Sequence, residues 1–506
     1  MSPSRKTFAT RATSFALLAM TREDIRDAVV IGAGVSGAAD LLTLSFTNME
    51  RVALLERHTG AGMENSHPLY NAQTSHDGST ETNYDIPHAL EVKADAELLR
   101  ALLKKVNDPQ LWQKRMRMAL ALGEEQVQRL AARYEALKEH YPLSFVTDRA
   151  EIEKIEPKLV LGRDPSEKIA ILVSKDGFIV NYMLLAQRMI SLALSRKPGF
   201  EVCYNTEVAG VERIAIEGVD GPLYLVKTKK RQFVTRAIFC AAGTYSLDYA
   251  QSMGYGTNLG AVMLGGSFLS AGNQVRGKVY PMQEEGLSFA EMHIDPDILD
   301  MRDSRVGPTI EFCLWMRARM LRTFPDFVRI NLRSPWRMLK STISILFANK
   351  LLAFVALHLS YRIPILGKWL VLRKAQRIIP TLRYRDLTWR RNAGGIRPQI
   401  VDLSTKKLIM GSVTITGEEN GEPLIYNSTP SPGASISVAN GVRDVETMLR
   451  VLDGRYVFDK TSFLRSIGID CSIAPAPSDE KAAGGACFNH PPPKAFARTR
   501  SGGFSF

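Results

Sequence analysis

Four apolar residues, Ala28 to Ile31, run into a glycine-rich turn and then into a stretch with helical apolar spacing (DAVVIGAGVSGAADLLTLSF). A buried strand, a turn and a helix account for that order. RVALLE, residues 51–56, reads as a second buried strand that ends on an acid. Residues 58–90 break the pattern and predict a long polar loop. Residues 92–140 are rich in Ala, Leu, Lys and Glu and predict helices, as does YMLLAQRMISLALS at 182–195. EVCYNTEVAGVERIAIEG, PLYLVKTKK and FVTRAIFCAAG predict successive strands. Residues 261–312 alternate apolar and polar positions between glycine breaks, the pattern of an antiparallel sheet. A last helix is expected in SISVANGVRDVETMLRVL, and the Pro-, Gly- and Ala-rich tail from residue 474 predicts disorder. No internal repeat is present.

At 506 residues the chain is long enough for two or three domain-sized units. Its 45% hydrophobic and 23% charged residues are ordinary globular values, which exclude a mainly disordered chain and a polytopic membrane protein. Five cysteines without a CxxC argue against a disulfide framework or a thiolate zinc site, so no metal is expected.

The net charge of +13 changes the picture only once it is located. Residues 311–391 hold 17 basic residues against three acids, so that segment carries +14 and the rest of the chain −1. Within it, residues 341–361 are long and apolar enough to suggest a membrane span. Lys350 at the centre opposes one, and so do cofactor motifs on both sides of the segment. The expectation is a helical pair that packs partly in the core and dips into one leaflet, held to an anionic lipid surface by its basic flanks. A buried helix with a solvated basic face is the other reading. The positives alternate with apolar stretches rather than stacking aromatics, so no nucleic-acid partner is expected. Residues 1–22 are basic, hydroxylated and free of acids, the composition of a mitochondrial targeting leader, and equally of a short disordered one.

Gly32, Gly34 and Gly37 form G-x-G-x-x-G between strand and helix, with Glu56 closing the next strand. The first glycine permits the turn, the second lets a pyrophosphate approach, and the third lets helix and strand pack. The helix N-terminus favours the phosphates and the acid takes the ribose hydroxyls, which argues against the 2′-phosphate of NADP. Gly243 ends a strand among small residues, as though a second backbone segment passes the cofactor. NAGGIRPQ (392–399) and NSTPSPGAS (427–435) are further glycine turns, the second opening a helix. Contacts spread from residue 32 to residue 435 suit an extended FAD better than a nicotinamide in one compact unit.

GAGVSGAA, NAQTSHDGSTETNY (71–84), His293–Asp295–Pro296–Asp297, RVGPT (305–309), AQRIIPTLRYRDL, GGIRPQIVD and TPSPGAS resemble, in order and spacing, the FAD-dependent malate:quinone oxidoreductases, relatives of the D-amino-acid-oxidase-like flavoproteins. The resemblance covers about residues 26–465. It implies a peripheral membrane enzyme that oxidises L-malate to oxaloacetate with hydride transfer to FAD and passes the electrons to a membrane quinone; the composition of the leader would place it on the mitochondrial inner membrane, at the matrix face. The fold it implies is α/β, α+β overall: a discontinuous Rossmann-like FAD-binding domain (24–95, 175–258 and 392–465) and an antiparallel-sheet substrate domain (96–174 and 259–391). The helical membrane-facing segment 311–391 belongs to the latter. A leader (1–22) and a disordered tail (474–506) complete the chain. Gln73, Thr74, Gly395, Pro432, Gly433 and Ala434 join the glycines and Glu56 as expected cofactor contacts. A related 2-hydroxyacid dehydrogenase, acting for example on L-2-hydroxyglutarate, and a catalytically silent flavoprotein scaffold remain as alternatives.

Oxidising a 2-hydroxy dicarboxylate needs a base for the hydroxyl proton and cations for the carboxylates. Histidine titrates in the right range. Of the eight histidines, His293 on the substrate sheet is favoured as the base, with His76 as a second polar contact or the base itself. Arg397 is the first choice for a carboxylate because its planar fork binds one bidentately. Arg305 is the second, and Thr309 and Gln73 are expected to add hydrogen bonds.

Overall fold

The computed structural model describes residues 24–283, 292–318, 320–332, 360–361, 363–390, 392–409, 413–428 and 432–469. The leader, the tail from 474, nearly all of the apolar segment 341–361, and Thr429 to Ser431 lie outside the described residues.

A six-stranded sheet carries the glycine motif. Its order is Thr414–Thr416, Leu424–Asn427, Ile238–Cys240, Ala28–Ile31, Val52–Leu55, Glu201–Cys203, parallel throughout except for the first strand. Period-two alternation gives each strand two buried faces. Ala28, Val30, Val52, Leu54 and Phe239 meet the helices Val35–Leu44, Ile86–Val106, Tyr182–Arg196 and Ser437–Val451. Val29, Ile31, Ala53, Leu55 and Ile238 meet Val211, Tyr224, Val226 and Phe233 of an antiparallel meander. The result is three layers: helices, parallel sheet, meander. This is why residues 28–31 read as a continuous apolar run rather than an alternating one.

The second large sheet is antiparallel except where Lys278–Pro281 runs parallel to Arg117–Leu122. Its central strands also obey period two. Arg117, Lys278, Tyr280, His293, Asp295 and Arg305 share one face. Met118, Leu120, Val279, Ile294 and Val306 share the other, where they pack on Val371, Leu372 and Ala375 of the helix Pro364–Ala375. A polar front and an apolar back are thus built into the same strands. The same helix exposes Ile365 (77%), Leu366 and Trp369 on its outer side.

Four expectations are corrected. The boundary at 95/96 falls inside the helix Ile86–Val106, whose Leu98, Leu99, Leu102 and Leu103 belong to the core of the parallel sheet. Its apolar spacing continues across the boundary, and a helix folds as one cooperative unit. Residues 92–140 are not all helical, because RMALAL at Arg117–Leu122 pairs with Ile169–Ser174. Sheet pairing overrides the helix propensity of Met, Ala and Leu there. Residues 396–402, assigned to the FAD-binding domain, instead form a strand of the antiparallel sheet in register with Leu259–Ser270, placing Arg397 opposite Leu264. The long loop ends earlier than expected, at Asp85, which caps the helix by accepting from His88 N–H.

Candidate functional site

A cleft of about 400 Å³ runs along the ends of the parallel strands, and residues from Ile31 to Ser435 line it. At Gly32, φ is +102°, and a Cβ would come within 2.5 Å of the Ala241 carbonyl. A Cβ on Gly37 would lie 2.0 Å from the Gly32 carbonyl, so only glycine lets the helix sit this close to its strand. Gly34 is different. A Cβ there would make only ordinary contact with Ser66 Oγ, and glycine keeps the cleft open at the helix N-terminus. Val35 N–H donates to Ser66 Oγ at 2.9 Å. Glu56 lines the same cleft with its carboxylate fixed by Ala33 N–H (2.8 Å) and His58 N–H (2.9 Å). Gly243 borders the cleft at φ +59°, and Pro432, Gly433, Ala434 and Ser435 line it ahead of the helix Ser437–Val451. Thr74 lines it too, where its carbonyl accepts from Tyr182 Oη at 2.8 Å.

His76 and Arg397 both line the cleft, and Tyr280 neighbours both. His76 Nδ1 is 2.7 Å from Glu81 Oε1, and its backbone N–H donates to Ser435 Oγ at 2.8 Å. Burial pushes the His76 imidazole below its ordinary 6.5, and the neighbouring Lys278 and Arg117 charges act the same way. The Glu81 hydrogen bond and charge oppose them. Arg397 makes no ion pair with any carboxylate among the described residues. Burial lowers its pKa, and the ionisable groups that offset this are the hydroxyls of Tyr280 and Tyr84.

The polar face of the sheet lies deeper. Lys278 Nζ bonds Thr74 Oγ1 and stands 3.5 Å from Asp295; burial brings its pKa down to about 8 against the pull of Asp295. Asp295 also binds Arg305 Nη2 at 3.0 Å and has His293 Nε2 at 3.4 Å. Burial pushes the Asp295 carboxyl up, but the charges of Lys278, His293 and Arg305 hold it below its usual range. Tyr280 packs between the two histidines, with ring centroids 4.7 Å from His293 and 6.4 Å from His76.

This arrangement reassigns several sequence-derived candidates. Arg305 is 1% exposed and spent on Asp295 and the carbonyls of Pro68 and Asn71, so its fork is not available to a carboxylate. His293 is equally buried and does not line the cleft, in contrast to His76. Thr309 exchanges hydrogen bonds with Ser267 across the sheet. The Gln73 side chain turns to Asp297 and to Ile298 N–H, leaving only its backbone region on the cleft. Gly395 does not line the cleft. A Cβ there would lie 2.5 Å from the Tyr70 carbonyl, so this glycine serves the crossing of two chain segments. Sequence reasoning missed Glu81, Tyr84, Lys278 and Tyr280. For the two strand residues a signal existed: Lys278 and Tyr280 flank Val279 at period two.

The family model for malate:quinone oxidoreductase (Mqo) matches residues 24–313. The chain is 31% identical over 449 residues to the probable malate:quinone oxidoreductase of Campylobacter jejuni, covering 86% of this chain and 98% of that one. It is 30% identical, with 86% and 96% covered, to the malate:quinone oxidoreductase of Helicobacter pylori. The chain belongs to the malate:quinone oxidoreductase family. Among solved structures, the L-α-glycerophosphate oxidase of Mycoplasma pneumoniae with FAD bound shares its fold at TM-score 0.58 and 17% identity, covering 86% of this chain and 96% of that one. Glycine oxidase from Geobacillus kaustophilus does so at 0.57 and 18%, covering 86% and 97%. This Mqo-family chain is therefore an FAD-dependent oxidoreductase, and its cleft suits that cofactor. Gly34 at a helix N-terminus, Glu56 and the 432–435 turn ahead of a second helix all line it, and would hold the pyrophosphate, the ribose and a further anionic group of such a cofactor. No described helix is long and apolar enough to cross a membrane.

Proposed function

We propose that the chain oxidises L-malate to oxaloacetate where His76 and Arg397 line the cleft and passes the electrons to a membrane quinone. The observation that carries this reading is Arg397, a half-buried guanidinium without a carboxylate partner among the described residues, on the same cleft as a histidine held by a carboxylate. A cation withdrawn this far from bulk water gains from an anion that completes it. A substrate carboxylate does so bidentately and fixes the position of the adjacent hydroxyl carbon. His76 Nδ1 faces Glu81, which assigns the ring hydrogen to Nδ1 and leaves Nε2 to accept the hydroxyl proton. Neutral imidazole is the form required, and a pKa below the ordinary 6.5 supplies it at neutral pH. Bound FAD supplies the two-electron acceptor.

The proposal includes peripheral docking on an anionic lipid surface through segment 311–391. In its support, Leu321, Phe324, Ile363, Ile365, Leu366 and Trp369 are exposed there among Arg322, Lys368 and Arg373. A mitochondrial address rests on the composition of the leader alone, since the relatives named above are bacterial.

Arg397→Lys tests the reading. Losing the bidentate fork is expected to raise KM for L-malate about tenfold to a hundredfold, on the order of 1.4–2.7 kcal/mol, with FAD content unchanged. Malate kinetics identical to those of the parent would sink the assignment of the carboxylate site.

A further inference from the structure

The loop that carries His76 is anchored to the neighbouring sheet and helix by hydrogen bonds and ion pairs. Arg117, 1% exposed on its strand, donates to the Ser75 carbonyl (2.9 Å) and Ser79 Oγ (3.0 Å), pairs with Asp77, and lies 3.5 Å from Glu81. Asp77 is also held by Arg100 at 3.0 Å. One buried and one half-buried cation, with two buried acids, thus pin residues 75–81 against the sheet. Gly78 makes the fit possible, since a Cβ there would sit 2.3 Å from the Ala89 carbonyl. Within this network Glu81 makes one short bond outward, to His76 Nδ1, while its Oε2 is buried without a hydrogen-bond partner.

We propose that Glu81 is a positioning residue for the oxidation: its carboxylate claims the Nδ1 hydrogen of His76 and so reserves Nε2 for the substrate hydroxyl, with Arg117 holding the carboxylate in place. The proposal rests on the reading of His76 as the base. The charge balance is consistent with it. Burial pushes the Glu81 carboxyl up, but the His76 hydrogen bond and the Arg117 charge outweigh burial and hold it well below the usual range. The charged groups facing His76 are Glu81 from its own loop, Arg117 from one strand and Lys278 from the next, with the neutral Tyr280 ring beside them. Both cations disfavour imidazolium, and Glu81 alone favours it. A proton received at Nε2 therefore meets a carboxylate across the ring, and the cations promote its later release.

Glu81→Gln separates positioning from packing. The amide is nearly isosteric, but its NH₂ can donate to Nδ1 and stabilise the wrong tautomer. We expect kcat to fall about 10²-fold with KM for L-malate changed less than about threefold. The acidic limb of kcat/KM should move to lower pH, because the one group that raises the His76 pKa is gone. Glu81→Asp should restore part of kcat. A second readout does not depend on turnover or on the variant folding: ¹⁵N spectra of histidine-labelled holoprotein, with His76→Asn to assign the signal. They should show hydrogen on Nδ1 in the parent. Hydrogen on Nε2 in the parent, or a Glu81→Gln enzyme with parental kcat and acidic limb, overturns the proposal. Failure of L-malate to reduce the parent's flavin would instead remove the underlying reading, whatever the tautomer.

Discussion

Arg305 and Arg397 lie on strands of one sheet and have opposite electrostatic fates. The first is closed by Asp295 and two carbonyls, while the second meets only tyrosine hydroxyls among the ionisable groups of the described residues. From sequence they are alike, an arginine beside a glycine-containing motif, and only the register separates them. Asp295 stands directly across from Arg305. The two histidines divide in the same way. His293 points into the sheet's polar layer because a strand residue two before Asp295 shares its face, whereas His76 sits on a loop with no periodicity to read. The glycine motif and Glu56 were legible because each has a steric or electrostatic duty fixed by local spacing. Glu81 was not, since the acid five residues after His76 acquires its role from a loop path that sequence does not specify.

The helices Val35–Leu44 and Ser437–Val451 pack tightly and bring two buried acids, Asp40 and Asp444, toward each other. Burial and then the Asp444 charge push Asp40 well above its ordinary 3.8; burial likewise raises Asp444, against the lowering pull of Arg443 and Asn427. A native carboxyl with a raised pKa keeps a proton that the unfolded chain would release. Stability from this pair is therefore greatest below the unfolded carboxylate value and declines as pH rises toward the raised native one. Asp40→Asn removes part of the linkage. Its melting temperature is expected to fall less steeply than the parent's between about pH 5 and pH 8. Equal slopes in thermal unfolding followed by circular dichroism would show that the pair is not linked to folding. The elements themselves were mostly readable from apolar period and glycine breaks. The exceptions, Arg117–Leu122 and Ile396–Asp402, owe their state to partners distant in sequence, Ile169–Ser174 and Leu259–Ser270.

At the scale of the whole molecule, the basic segment 311–391 both borders the cleft, through Asp326 and Arg329, and backs the second sheet. The cofactor cleft lies along the parallel strands. The helix Pro364–Ala375 covers the apolar back of the second sheet, with Val371, Leu372 and Ala375 turned inward and Ile365, Leu366 and Trp369 outward. Lys368 and Arg373 lie beside those outward residues in the chain. If that face docks on lipid, Ile365→Ser with Trp369→Ser should reduce co-sedimentation with anionic liposomes several-fold while malate oxidation with a soluble acceptor stays at the parental rate. Parental sedimentation by the double variant would assign docking elsewhere. The central claim, that the cleft joins a malate site to FAD and a quinone, is tested most directly by anaerobic mixing of the purified holoprotein, first with L-malate and then with a ubiquinone analogue. The account predicts bleaching of the flavin bands by L-malate and their recovery on adding quinone; absence of bound flavin, or bleaching by L-2-hydroxyglutarate but not by L-malate, would contradict it.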